Sequence, residues 1–233
     1  SHFVGNCMVT VNEMHNALTY NKIWKQRLVN IGAYSYKLCY DYGLTGVMAR
    51  CTGVKRDLRM MKLETYANYY HLNFRAYTGQ NGDSYDRYLI RMNEMLESLY
   101  IVSQVLFKLS TKKNGKPTLR PLKILKQLQP KPAQNALHKH EYASMERLIS
   151  HFKYWSEGFV LQPNWTYQAV ESPKGEFGVT LISDGTNKPY RCKVRSPAYH
   201  HLQLLPAIAK GHSLADLAAL IGTIDIVFGE IDR

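Results

Sequence analysis

Cysteine and acidic residues are both scarce in this 233-residue chain. The four cysteines, Cys7, Cys39, Cys51 and Cys192, lie far apart and include no C-x-x-C. A zinc or iron–sulfur site built from this chain alone therefore lacks its ligand spacing. No disulfide framework is indicated either, which suits a reducing compartment. No run of 18 apolar residues exists; the longest candidate, 214–228, is interrupted by Asp216 and Asp225, so no segment reads as a membrane span. The glycine spacings of phosphate and dinucleotide loops are absent. The chain opens on Ser and carries no signal-peptide pattern, as a removed presequence or an absent upstream segment would each produce. Against 30 Lys and Arg stand only 18 Asp and Glu, a net charge of +12. Such a charge suits a solvated basic face, nucleic acid, anionic lipid or an acidic partner, and does not choose among them. No base-reading motif or aromatic platform is present, so no nucleic acid is expected. Salt-dependent binding to mixed-sequence nucleic acid would argue for that class instead. Part of the charge is local: residues 110–140 hold eight Lys or Arg, no acid and four prolines. That stretch reads as a basic loop or insertion, with a short helix near 122–128.

The length suits one large domain or two small ones, and a hydrophobic content of 45% suits a folded globule. Residues 7–27 read as one helix or two short ones, on the spacing of Met8, Val11, Met14 and Leu18 with Ile23 and Trp24 beyond. Gly32 breaks the run, and a short helix follows around Tyr34 to Tyr42. Gly43, Gly46 and Gly53 then fall within eleven residues, a density that signals close backbone approach or unusual dihedrals. The clearest helix runs from about Asp83 to Leu109, entered through Gly82-Asp83-Ser84 as break and cap. Its stripe of Tyr85, Tyr88, Leu89, Met92, Met95, Leu96, Leu99, Val102 and Leu106 is expected to form core. Arg87, Arg91 and Glu94 lie off it, solvated or structurally paired. Met145 to Trp155 is helical again. Three β-like runs follow, Thr166 to Ser172, Glu176 to Ser183 and Tyr190 to Arg195, separated by turns at 173–175 and 184–187. Two helices, near Ala198 to Lys210 and Ser213 to Ile221, lead into the tail. Helices, a small antiparallel meander at about 166–195, then helices again predict a mainly helical α+β fold. Cys192 reads as a small apolar strand residue and His212 as helix-entry packing. His138, His140, His200 and His201 lack acid or thiol partners nearby, so no metal site is expected from them.

Four segments, in order, carry a resemblance. They are Gly43-Leu44-Thr45-Gly46-Val47-Met48 with Gly53-Val54-Lys55-Arg56-Asp57-Leu58-Arg59; then Gly82-Asp83-Ser84-Tyr85-Asp86-Arg87-Tyr88. Next comes Pro173-Lys174-Gly175-Glu176-Phe177-Gly178-Val179 through Ser183-Asp184-Gly185 and Pro189-Tyr190-Arg191-Cys192-Lys193; and last Lys210-Gly211-His212 through the tail. Together they resemble the hydrogenase-large-subunit-like core subunit of respiratory complex I, the NuoD or 49-kDa type. Only the basic stretch at 110–140 departs from the pattern. The resemblance implies a hydrogenase-large-subunit-like helical core carrying the small meander. Members of the family run to roughly twice this length, so residues 1–233 read as the C-terminal half of a single NuoD-like domain. It also implies that this chain binds no redox centre itself. Ubiquinone would occupy a shared cavity beside an iron–sulfur cluster of a neighbouring PSST/NuoB-type subunit. Further implied partners are a separate chain carrying the N-terminal half, other peripheral-arm subunits and a membrane-arm subunit at the quinone entrance. The implied location is the matrix side of the mitochondrial inner membrane. The His and Tyr that reach the quinone headgroup in the family belong to its N-terminal half. No position here matches either, so no catalytic residue is assigned in this chain.

The tail, Gly222 to Arg233, is mostly apolar yet carries Asp225, Glu230, Asp232 and Arg233. Such a tail is expected to tuck into a body with its charges paired or facing a cavity. Nickel–iron hydrogenases end on D-P-C-x-x-C-x-x-H. In this chain Val227 and Glu230 stand at the two cysteines and Arg233 at the histidine. Valine ligates no metal, and one Glu cannot hold a nickel–iron pair that needs thiolates, so hydrogenase chemistry is excluded for this tail. The resemblance makes the old metal pocket a quinone cavity. Asp225 and Glu230 would set its electrostatics or proton supply, Val227 would shape its wall, and Arg233 would lock the terminus by carboxylate pairing. A purely structural role stays open for each, above all for Glu230 and Arg233. Open alternatives for the chain are the equivalent subunit of an energy-converting hydrogenase-like or plastid-type dehydrogenase, and a scaffold that has lost its quinone role.

Overall fold

The computed structural model describes residues 2–61, 66–111 and 145–232. The expected basic loop falls outside this range from residue 112 on, with the short helix at 122–128, His138 and His140. Arg233 is outside it too. The chain forms two compact units: Ser1–Thr111, Tyr167–Val179 and Val194–Arg233 make the larger, and Lys112–Thr166 with Thr180–Lys193 the smaller.

In the larger unit, the expected pair of N-terminal helices is present as α1 (His2–Thr19) and α2 (Lys22–Gln26). They divide at Asn21, whose side-chain oxygen accepts the Ile23 N–H at 2.9 Å and caps α2. Helix α3 (Tyr36–Asp41) leads through Gly43 and Gly46 into α4 (Val47–Arg50), a single turn too short to announce itself by periodicity. Gly46 has φ 65°, and a Cβ placed on it would lie 2.5 Å from the Gly175 Cα. The glycine cluster thus lets a strand turn lie directly on the start of α4. Helix α5 (Ser84–Thr111) follows, capped by Asp83, whose Oδ1 accepts the Asp86 N–H at 2.8 Å.

The face that α5 buries corrects the sequence expectation. Ser84, Arg87 and Ile90 are buried outside the anticipated stripe; Met92 of the stripe is buried as expected, whereas its Met95, Val102 and Leu106 are exposed. Tyr85 and Tyr88 turn to α1 and α2: the Tyr85 hydroxyl donates to the Thr19 carbonyl at 3.2 Å, and Tyr88 meets the Trp24 ring edge-on. A long helix with neighbours on two sides has two buried faces, and the second of these is polar. The core joins Tyr34, Cys39, Leu44, Val47, Met48, Cys51 and Ile90 to Leu204, Ile208, Leu220 and Ile224 of the C-terminal helices.

The remaining elements are α6 (Met145–Ser156), β1 (Asn164–Ser172), β2 (Gly175–Ser183), β3 (Pro189–Arg195), α7 (Pro197–Ile208), α8 (Leu214–Ile224) and α9 (Phe228–Asp232). The strands form one sheet in the order β1-β2-β3, the expected antiparallel meander in a mainly helical α+β fold. Helix α7 starts on Pro197, and α8 opens with a capping box between Ser213 and Asp216. Within the smaller unit, Thr186 donates through N–H and hydroxyl to Asp184 Oδ1, the turn expected there. Helix α6 leaves Leu148, Phe152 and Trp155 exposed. Cys192 is exposed on β3, a correction to its reading as a small apolar residue, because the strand is exposed at every position from Pro189 to Lys193. Among the described residues no helix is long and apolar enough to cross a membrane.

Candidate functional site

Helix α8 stops at Ile224 because Asp225 turns left-handed, with φ 61° and ψ 55°, while its N–H still donates to the Ile221 carbonyl at 3.3 Å. Aspartate tolerates this conformation better than most L-residues, and the turn sends the tail back across the unit. Lys174, in the β1–β2 turn, places Nζ 2.5 Å from Asp225 Oδ1 and 3.2 Å from the Asp225 carbonyl. One ammonium thereby engages a carboxylate and a carbonyl at the end of a helix, where cations are favoured. Lys174 is 28% exposed and Asp225 41%, so the pair borders solvent. Further along, the Ser196 hydroxyl donates to Glu230 Oε1 at 2.7 Å and holds α9 to the start of α7. Between these two anchors Val227 and Phe228 are 38% and 69% exposed. The tail is thus tied by Asp225 and Glu230, with Ile224 in the core and Ile226 packed against it, while Val227 and Phe228 face outward.

The turn that presents Lys174 is itself pinned on both flanks. On the β1 side, Arg50 is fully buried and donates to Glu171 Oε1 at 2.8 Å and Glu94 Oε1 at 2.6 Å, with Asp57 at 3.8 Å. Asp57 in turn takes two bonds from the Arg59 guanidinium, at 3.0 and 2.7 Å, and one from its backbone N–H at 3.0 Å. Burial alone would raise Asp57, but Arg59 and Arg50 outweigh it and hold the carboxyl below the usual range. For Glu171 burial wins over the attraction of Arg50 and pushes the carboxyl up. On the β2 side, Glu176 accepts from Arg56 at 3.0 Å and from the Tyr167 hydroxyl at 2.7 Å, with Arg195 at 3.3 Å. Burial and this bond to Glu176 push the Tyr167 hydroxyl up to about 12. Two ionic clusters therefore fix Glu171 and Glu176, and the loop between them can aim Lys174 without freedom to swing.

Behind the tail lies the polar inner face of α5. Arg87 is wholly buried; it donates to Ser84 Oγ at 2.7 Å and to the Gly32 and Gly82 carbonyls, and lies over the Tyr34 ring. One turn on, Arg91 is half-buried, and burial lowers its affinity for its proton while Asp225 opposes that effect. His201 of α7 is buried too. Desolvation pushes it down to about 4 even though its Nε2 takes the Thr45 N–H at 3.5 Å, so it is neutral at pH 7. His212 Nε2 accepts the Gly32 N–H at 3.3 Å, the packing role anticipated for it. Elsewhere an open hollow of about 460 Å³ lies between residues 72–77 and the 97–100 stretch of α5. It shares no lining residue with the tail.

Of the tail residues singled out in the sequence, the structure gives Asp225 and Glu230 polar partners and leaves Val227 at the surface between them. Lys174, Arg91 and the Arg50 cluster were not singled out. The available signal was charge: Lys55-Arg56-Asp57-Leu58-Arg59 follows a glycine-rich core segment, and Lys174 occupies a tight turn. Arg87 and Arg91 hid because a helix surface with charges at i and i+4 reads as solvated.

Comparison with known proteins bears on this geometry. The family model described as "Respiratory-chain NADH dehydrogenase, 49 Kd subunit" matches residues 1–233. The chain is 73% identical over 231 residues to the NADH-ubiquinone oxidoreductase 49 kDa subunit of Paramecium tetraurelia, covering 99% of this chain and 57% of that protein. It is 47% identical over 231 residues to the NuoD-type subunit of NADH-quinone oxidoreductase from Ehrlichia canis, covering 99% and 55%. To the protein of the same name from Anaplasma marginale it is 48% identical over 223 residues, covering 96% and 52%. The chain thus spans about half the length of the curated relatives it matches. The match along its whole length, with no cysteine in the tail, shows that the chain belongs to the 49 Kd subunit family of respiratory-chain NADH dehydrogenase.

Proposed function

We propose that this chain acts as the C-terminal half of a NuoD-like domain in NADH:ubiquinone oxidoreductase, where its tail walls part of the quinone-reduction cavity. The observation that carries this reading is the Lys174–Asp225 pair at the left-handed end of α8. It sets a fixed charge pair at the solvent border, two residues before the open Val227. Reduction of ubiquinone to ubiquinol consumes two electrons and two protons. The electrons come from an iron–sulfur cluster in a PSST/NuoB-type neighbour, and this chain supplies no redox centre. Its part is to shape the cavity with Val227, to bias the electrostatics with Asp225 and Lys174, and to anchor the tail through Glu230 and Arg233. A cavity wall with Val227 and Phe228 open needs a facing surface. A companion chain carrying the N-terminal half supplies it, with peripheral-arm subunits and a membrane-arm subunit at the entrance. Exposed apolar residues such as Phe3 and Val9 on α1, at 76% and 57%, support such companions. The place of the assembly is the matrix side of the mitochondrial inner membrane.

The test is a pair of variants in the assembled complex. Val227→Met should alter the affinity of quinone-site inhibitors, and Asp225→Asn should lower the quinone reductase rate by on the order of tenfold or more. Unchanged rate and inhibitor affinity in both would exclude the tail from the cavity.

A further inference from the structure

We infer that Arg91 is a binding residue for the acceptor headgroup, donating to the carbonyl oxygen that becomes electron-rich on reduction. The inference deepens the cavity reading and rests on it. Three observations lead to it. First, Arg91 has unused donors. The other two interior arginines of this region, Arg50 and Arg87, each make several hydrogen bonds, whereas Arg91 makes no hydrogen bond and no ion pair within 4.0 Å among the described residues. A guanidinium carries five N–H donors, and those of Arg91 meet no protein acceptor among the described residues. Second, its nitrogens are not sealed in. The buried and unpartnered polar atoms among the described side chains are Trp24 Nε1, Arg50 Nε and Arg87 Nε, none of them from Arg91. An incoming oxygen can therefore reach it.

The third observation is charge balance. Around Asp225 stand two cations, Lys174 in contact and Arg91 at longer range. The other carboxylate near Arg91 is Glu94, and Arg50 holds it at 2.6 Å. His201 adds no charge, and Arg87 lies beside the buried carboxylates Asp83 and Asp86 of its own helix entry. Counting only the groups at Asp225 itself, Lys174 and Arg91 outnumber the single carboxylate by one. What fits that excess is an oxygen acceptor from outside the chain whose negative charge grows during the reaction. A quinone carbonyl meets this description: its oxygens would gain negative charge as two electrons enter the ring and lose it as two protons complete the quinol. Arg91 then binds the reacting state more tightly than the resting one, which is how a fixed cation accelerates a step. A planar fork suits a carbonyl oxygen better than an ammonium does.

The experiment compares Arg91→Met, Arg91→Lys and Val227→Met in the assembled complex. NADH oxidation with ferricyanide, which bypasses the quinone, reports intact assembly. We expect Arg91→Met to keep the ferricyanide rate and to lower quinone reductase kcat by on the order of tenfold to a hundredfold, with a smaller change in KM. Arg91→Lys should recover part of that kcat. If the Met variant does not assemble, the Lys variant decides: kcat, KM and inhibitor affinity all unaltered overturn the inference and mark Arg91 as the counter-charge of a companion subunit. If Arg91→Met is fully active while Val227→Met shifts inhibitor affinity, the inference fails and the cavity stands. If no variant changes anything, the cavity reading itself falls.

Discussion

Arg50→Met tests whether the ionic cluster is what holds the β1–β2 turn. Arg50 is 1% exposed, and its partners Glu171 and Asp57 are 5% and 1% exposed in their side chains. Asp57 retains Arg59 in the variant, but Glu171 loses its side-chain ion pair and keeps the Leu58 N–H at 3.4 Å. Removing one member of a buried ion pair costs about 3–5 kcal/mol, since the charge left behind has neither water nor partner. At a urea dependence of about 2–3 kcal/mol per molar, a loss of about 4 kcal/mol moves the midpoint down by roughly 1.3–2 M. Pulse proteolysis in urea reads this on the band of the chain within the co-expressed assembly. The penalty should depend on pH. Without Arg50 the folded-state value of Glu171, already raised by burial, rises further above its unfolded value. The folded protein then holds more protons across that window, so stability falls as pH rises through it. The penalty is therefore smallest at or below the ordinary carboxyl range and grows as pH rises through the raised folded-state value. Adding Glu171→Leu should restore much of the loss, because an apolar replacement of both partners leaves no orphan charge. A penalty that does not vary with pH, or a double variant no better than the single one, would refute the reasoning.

Two further outcomes follow from the same structure. His201 is held down to about 4 by burial, so the unfolded chain takes up a proton near pH 6.5 that the folded chain refuses. The stability this histidine contributes is complete above pH 6.5 and lost by about pH 4, an effect of roughly 3 kcal/mol. His201→Gln, which keeps an acceptor for the Thr45 N–H, should flatten that slope in the same proteolysis assay; an unchanged slope would assign it to other groups. Gly46→Ala should cost about 2–4 kcal/mol, since its Cβ would meet the Gly175 Cα at 2.5 Å with φ at 65°. Gly53→Ala should cost about 1 kcal/mol, because its Cβ would meet nothing nearer than 3.7 Å. Equal costs for the two would show that the contact with the strand turn carries no weight.

Local signals carried much of the fold. The division of α1 from α2, the start of α5 at Asp83, the three strands and the box that opens α8 all depend on caps, turns and periodicity within a few residues. Helix α4 escaped notice because four residues do not make a period. The stripe on α5 misled for a different reason. Its apolar side chains lie against α1 and α2 near its start and emerge toward its end, whereas the polar face with Arg87 is the one buried against the core.

The tail was legible as a place and not as a geometry. Sequence alone determined that it bears carboxylates and no thiol, which excludes nickel–iron chemistry there, because ligand type is a property of single residues. It also determined the order of helices and strands, because caps and turns are local. Only the tertiary structure decided that Lys174 meets Asp225 from 51 positions away, that Glu171 and Glu176 are clamped on either side of it, and that Arg91 is left without an acceptor among the described residues. Such pairings depend on which charges the packed core brings together and which it removes from water, and no pattern of neighbours along the chain encodes that.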